Sequence, residues 1–104
     1  MTEKDEAARD SATLHSNSGR GYIQKGDASN EVFCIDYKEY AESFGVSRGV
    51  WAKCTADALK MRKQPALKLV LGRDGHKTRL WVIDDVMFHD MYAAYKEKHG
   101  IESG

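Results

Sequence analysis

The sequence is poor in the residues that build disulfide frameworks, zinc sites and membrane spans. Its 104 residues include one proline and two cysteines, Cys34 and Cys54, which form no C-x-x-C motif and fall in apolar stretches. We therefore expect two reduced, packed thiols. Four scattered histidines lack ligand spacing, which argues against zinc. No apolar run approaches membrane length, and the charged N-terminal segment lacks the apolar core of a signal peptide, so we expect a cytoplasmic protein without a membrane partner.

Charge is balanced in total but uneven along the chain. Sixteen Lys and Arg offset sixteen Asp and Glu. Residues 47–80 nevertheless carry nine basic residues against two Asp, a local charge of +7, whereas residues 31–46 carry four acids and one Lys. A basic segment beside an acidic one is typical of a protein that binds phosphates and also binds a divalent cation. An ordinary solvated surface explains the same charges equally well.

Length and hydrophobic patterning predict a single α/β domain over residues 1–104, with a small mixed central β-sheet flanked by helices. The central strand begins with the apolar run Val32–Ile35 and continues into Asp36-Tyr37-Lys38. Ser47 is a good N-cap for the helix that follows it, and Pro65 is expected to stop that helix. The predicted elements are helix 3–11 within a segment 1–15 expected to fray, strand 32–38, helix 47–63, strands 66–71 and 78–83, helix 84–98 and a flexible tail 99–104.

Two further segments carry predictions of their own. Residues 15–26 are polar and contain glycines, which predicts a loop or irregular hairpin. That loop could approach a phosphate, or it could be an ordinary mobile surface loop. The last helix carries an apolar stripe that we expect to join the core, made of Met87, Met91, Ala94 and Tyr95.

The central strand ends in a pattern that can carry chemistry. Asp36 and Lys38 project from the same face of a strand and Tyr37 from the other. Asp27 precedes them, giving the pattern D-x8-D-x-K. Two carboxylates at neighbouring strand ends can hold Mg²⁺, and a nearby lysine can orient a nucleophile or neutralise charge. A surface ion pair at a strand end and a turn aspartate are the alternatives, and Glu31 is a competing ligand.

Taken with its surroundings, this pattern resembles the PD-(D/E)xK nuclease superfamily. The residues that carry the resemblance are Asn17–Gly21, Lys25–Ala28 and Ile35–Lys38, followed by the helix and strand up to Leu71. Within the superfamily the chain is similar to small, phage-type Holliday junction resolvase-like endonucleases, over about residues 3–83. The resemblance implies a restriction-endonuclease-like core and an Mg²⁺- or Mn²⁺-dependent endonuclease that cuts branched DNA as a homodimer in the host cytoplasm.

The resemblance also implies roles for individual residues. Asp27 would be the first metal-binding acid, Asp36 the second (where the family usually has Glu), and Lys38 the motif lysine. The first helix of the family supplies another acid, for which Glu3 and Glu6 are the candidates. The implied DNA contacts are Ser18, Arg20, Lys25, Arg48 and Lys53. Trp51 is assigned to the hydrophobic staple of its helix rather than to base stacking.

Two other functions fit the same residues. A nucleic-acid-binding module on this fold, with weak or no chemistry, would bind DNA in a salt-sensitive way without metal. A protein-binding inhibitor of a host enzyme would instead use the acidic C-terminal helix to meet its partner. Metal-dependent cleavage separates the first hypothesis from both of these.

Overall fold

A computed structural model describes residues 3–15 and 27–102 of the chain. The elements in chain order are α1 Glu3–Arg9, β1 Thr13–Leu14, β2 Ala28–Ser29, β3 Phe33–Tyr40, α2 Arg48–Met61, β4 Gln64–Leu71, β5 Thr78–Val82 and α3 Asp85–Lys98. The strands form one sheet in the order β1-β2-β3-β4-β5. The predicted α/β class with a mixed sheet is therefore confirmed. Among these residues, no helix combines the length and apolar content that crossing a membrane requires.

The sheet is organised by one parallel pair at its centre. β3 and β4 pair in parallel from Phe33 opposite Gln64 to Tyr40 opposite Leu71, whereas every other neighbouring pair is antiparallel. A parallel pair needs a long crossover, and α2 supplies it. The predicted central strand is thus confirmed and runs two residues beyond Lys38.

Helix α2 begins where its cap predicts and ends earlier than expected. The Oγ atom of Ser47 accepts a hydrogen bond from the backbone nitrogen of Val50 at 3.1 Å, the predicted N-cap. The helix ends at Met61 because Arg62 takes the left-handed conformation, with φ 57°. Pro65 is not the stop, since it already lies within β4. The local cap, rather than the proline, sets the end of this helix.

The two faces of the sheet are covered by different helices. On β3, Ile35 and Tyr37 join a core cluster with Ala7 of α1, Ala28 and Ala66. The residues between them in the chain, including Asp36, point to the other face because side chains alternate along a strand. That second face is covered by α2, whose Cys54 donates to the carbonyl of Ala66 at 3.4 Å.

A buried ionic network fastens α1 to its face of the sheet. The ammonium of Lys68, a side chain only 1% exposed, lies 2.6 Å from Glu6 Oε1 and 2.8 Å from Asp10 Oδ1. The hydroxyl of Tyr37 donates to Asp10 Oδ2 at 3.0 Å, and Arg79 Nη2 lies 3.2 Å from Glu6 Oε2. Burial acts to raise the pKa of Glu6, but the hydrogen bonds from Arg79 and Lys68 outweigh it and lower that pKa. The first helix is therefore anchored by charges.

The prediction that the last helix packs its apolar stripe into the core is wrong. No residue of α3 is buried. Met91 and Tyr95 of the predicted stripe are 47% and 58% exposed. The helix follows β5, the edge strand of the sheet. Periodicity identifies an apolar face, but it cannot say whether the same chain covers it.

Candidate functional site

The structure brings Asp27 and Asp36 together at the end of the β2–β3 pair. Ala28 and Ile35 are the last partners of this antiparallel pair, so Asp27 and Asp36 each lie one residue beyond them at the same end. The backbone nitrogen of Asp27 donates to the carbonyl of Ile35 at 3.0 Å. The backbone nitrogen of Tyr37 donates to Asp27 Oδ2 at 2.8 Å. The Asp27 side chain thus extends the strand ladder by one hydrogen bond, which fixes this carboxylate beside Asp36.

Asp36 is a buried carboxylate in an acidic environment. It is only 6% exposed. Burial raises its pKa, and the negative charges of Asp27 and Asp57 raise it further, while Lys53 and Lys38 act in the opposite direction. The ionised pair of Asp27 and Asp36 is therefore electrostatically unfavourable by itself. A bound cation would relieve that repulsion.

Two lysines border the acidic pair. Lys38 follows Asp36 by two residues on β3 and is half-buried, with its ammonium 5.9 Å from the centre of the Phe44 ring. Lys53 of α2 lies with its ammonium 3.1 Å from Asp57 Oδ2. Burial acts to lower the pKa of Lys53, but the hydrogen bond to Asp57 and the charges of Asp36 and Asp27 raise it overall. Lys53, predicted as a DNA contact, therefore belongs to the same cluster.

Asp57 is a member of this cluster that sequence reasoning missed. It is 4% exposed, and its carboxylate binds Lys53. The sequence places it with Lys53 and Lys60 on a polar face of the helix, although it also lies three residues after Cys54 and directly before Ala58. That position at the border of the buried stripe is the signal that could have identified it.

The remaining predicted site residues lie elsewhere. Glu6 does not join Asp27 and Asp36, because its carboxylate binds Lys68 and Arg79 on the opposite face of the sheet. Glu3 is the first residue of α1, and Arg48 is an exposed residue at the start of α2. Glu31 is exposed between β2 and β3, and Trp51 is half-buried on α2. Ser18, Arg20 and Lys25 lie outside the described residues.

Both thiols lie close to Asp36, and their chemistry can be predicted. Cys34 and Cys54 are buried and form no disulfide with each other, as the sequence predicts. Burial, followed by the charge of Asp36, raises the pKa of Cys34 to about 11 and that of Cys54 to about 12. Because the thiolate is the nucleophile, we expect no alkylation by iodoacetamide in the native protein at pH 8 and two adducts after unfolding in urea. Intact mass spectrometry measures both, and rapid native labelling would contradict the buried placement.

The site is a pair of carboxylates flanked by lysines. Among residues 3–15 and 27–102, no group of three or more His, Cys, Asp and Glu side chains is arranged to hold a metal ion. No family model, curated protein or solved structure matches the chain. The function is therefore argued from the geometry of these residues.

Proposed function

We propose that the protein is a divalent-metal-dependent endonuclease whose site consists of Asp27, Asp36 and Lys38. The observation that carries the proposal is the end of the β2–β3 pair, where Asp27 and Asp36 each lie one residue beyond the last partners and the Asp27 carboxylate accepts from the backbone nitrogen of Tyr37, with Lys38 on the same face of β3 as Asp36. The spacing D-x8-D-x-K thus has a spatial counterpart. The order of elements along the chain, from α1 through β3 and α2 to β4, is also the order of the segments that carry the resemblance to the nuclease superfamily.

The donor set fits Mg²⁺ or Mn²⁺ held by Asp27 and Asp36. Mg²⁺ commonly binds through one or two carboxylates and completes its shell with waters and substrate phosphate oxygens, so a third protein acid is not required. The raised pKa of Asp36 supports this fit, since the buried pair is short of positive charge. When bound, the ion supplies Lewis-acid polarisation of the scissile phosphate.

The lysines supply the remaining functions that phosphodiester hydrolysis needs. Lys38 projects from the same face as Asp36 and can hold a water or neutralise charge that develops on the phosphate. The ammonium of Lys53, on a side chain 58% exposed, lies beside the acids and can contact the neighbouring phosphate of the strand. Branched DNA is the proposed substrate, on the strength of the resolvase-like resemblance.

The test is cleavage of matched DNA substrates. A four-way junction, its component duplex and a single strand are incubated with the full chain in Mg²⁺, Mn²⁺ or EDTA. We expect cleavage of the junction in either metal and none in EDTA. Lys38→Ala should slow cleavage by about 10²–10³-fold, the usual effect of removing one group that stabilises transition-state charge.

Arg73→Ala is the matched control, because it removes one positive charge from the exposed turn between β4 and β5. We expect it to cleave at the wild-type rate. If no substrate is cut in either metal at equimolar protein, the proposed activity is refuted. If Lys38→Ala cuts as fast as Arg73→Ala, the site has been misassigned.

A DNA-binding module without cleavage is the second candidate. It is favoured by the commitment of Glu6 to Lys68 and Arg79, which removes one of the two acids that the first helix was expected to contribute. This function predicts binding to DNA that weakens with salt, persists in EDTA and survives Asp36→Asn. Fluorescence anisotropy with a labelled junction measures all three.

A further inference from the structure

We propose that α3 is a dimerisation helix, which pairs antiparallel with α3 of a second copy of the chain. The inference rests on the surface and charges of this helix and does not depend on the nuclease activity. It also goes beyond the homodimer implied by the resemblance, since it assigns the interface to particular residues.

The first observation is an exposed apolar strip on α3 that runs from Phe88 to Tyr95. Phe88, Met91, Tyr92 and Tyr95 are 53%, 47%, 50% and 58% exposed. Their spacing of three, one and three residues places them on one face of a helix. Phe88 and Tyr92 stack with their ring centres 6.1 Å apart, so the strip is continuous. Large contiguous apolar surfaces on soluble proteins mark interaction sites.

The second observation is that the rest of the described chain buries no residue of α3. It has fourteen residues, and none of them is buried. Isolated helices of this length are marginal in water, because most helical stability in proteins comes from packing an amphipathic face. The N-cap of Asp84, which accepts from the backbone nitrogens of Val86 and Met87, stabilises only the first turn. A partner that covers the strip would therefore stabilise the helix itself.

The charges at the edge of the strip select the partner and its direction. Asp85 in the first turn and Lys96 in the last turn lie on the same edge, because eleven residues make almost three whole turns. In an antiparallel pair centred near Met91, Asp85 of each copy approaches the partner's Lys96. The same arrangement brings Phe88 close to the partner's Tyr95 and opposes the two helix dipoles favourably. A parallel pair would instead place like charges together, which disfavours it.

The oligomeric state of the full chain tests the proposal. We expect sedimentation equilibrium to give twice the 11.7 kDa chain mass. Met91→Glu should yield a monomer, because it places a charge at the centre of the strip. Val86→Glu is the matched control, since Val86 lies on the opposite side of α3 and is 66% exposed, and this variant should remain dimeric. Urea unfolding of both variants should remain cooperative, which checks that neither substitution disrupts the fold.

A charge exchange tests the direction of pairing. Asp85→Lys and Lys96→Glu should each weaken self-association by about tenfold, since each turns two opposite-charge pairs into like-charge pairs. Mixing the two variants should restore association, because a mixed dimer regains opposite charges at both positions. A wild-type monomer, a Met91→Glu dimer or a mixture that stays weak would each overturn the proposal.

Discussion

Asp36→Asn is expected to slow DNA cleavage strongly and, in metal-free buffer, to make the protein more stable. Loss of a metal-binding carboxylate should lower the cleavage rate by about 10²-fold or more. The stability gain follows from burial, since the pKa of Asp36 is raised first by desolvation and then by Asp27. A group whose pKa is raised on folding stabilises the protein below its unfolded pKa, and that contribution is lost as pH rises through the folded pKa.

Urea unfolding measured across pH, with and without Mg²⁺, checks the stability effect. The variant should exceed the wild type at neutral pH, and the difference should close as pH falls below about 4, the value of an unfolded Asp. Mg²⁺ should stabilise the wild type and leave the variant unchanged, because a ligand that binds only the native state raises its stability. Asp74→Asn, in the exposed turn between β4 and β5, is the control and should change neither property. A variant that cuts like the wild type, or is less stable, would contradict this account.

Lys68→Met is expected to cause the largest loss of stability, about 3–5 kcal/mol. The substitution removes the ammonium that now lies 2.6 Å from Glu6 and 2.8 Å from Asp10, which leaves Glu6 with Arg79 alone and takes from Asp10 the cation that neutralises it. Such a loss approaches the whole stability of a small domain, so we expect a large fall in the urea midpoint or a protein that is partly unfolded in water.

Two comparisons make the Lys68 prediction specific. Lys77→Met breaks another ion pair, at 2.7 Å to Glu39, but Glu39 is 40% exposed, so the cost should be below about 1 kcal/mol. Adding Asp10→Asn to Lys68→Met should recover part of the loss, because Asp10 loses the cation that Lys68 supplies, whereas Glu6 keeps Arg79. Equal costs for Lys68→Met and Lys77→Met would contradict the assigned role of the network.

The parts of the fold that follow from local signals were predictable. The apolar run Val32–Ile35 predicts the central strand, and Ser47 predicts the start of α2, because an N-cap acts within a few residues of itself. The position of Asp27 beside Asp36 could be anticipated as well, since a short connection between paired strands fixes their register. These three local inferences place Asp27, Asp36 and the start of α2, but not Asp57.

The features that could not be predicted from the sequence depend on contacts between segments that lie far apart in the chain. Lys68 reads as a charged residue in an apolar strand, and only the structure shows that Asp10, 58 residues earlier, neutralises it. The same packing of α1 places Glu6 on the face of the sheet opposite to Asp36. No local sequence pattern encodes which face of the sheet α1 covers. The exposure of Met91 and Tyr95 is another case, because an apolar stripe looks the same whether its own chain or a second copy covers it.

The unequal lengths of β2 and β3 have a consequence for hydrogen exchange. Asp36 lies within an eight-residue strand paired on both sides, whereas Asp27 is held by the end of a two-residue strand next to another of two residues. Amide protons of β3 that face β4, such as that of Cys34, should therefore exchange only on global unfolding, and those of β1 and β2 through local opening. An ion shared by both carboxylates would join the two cooperative units, so its binding should slow exchange at Ala28 and Ser29 far more than at Cys34.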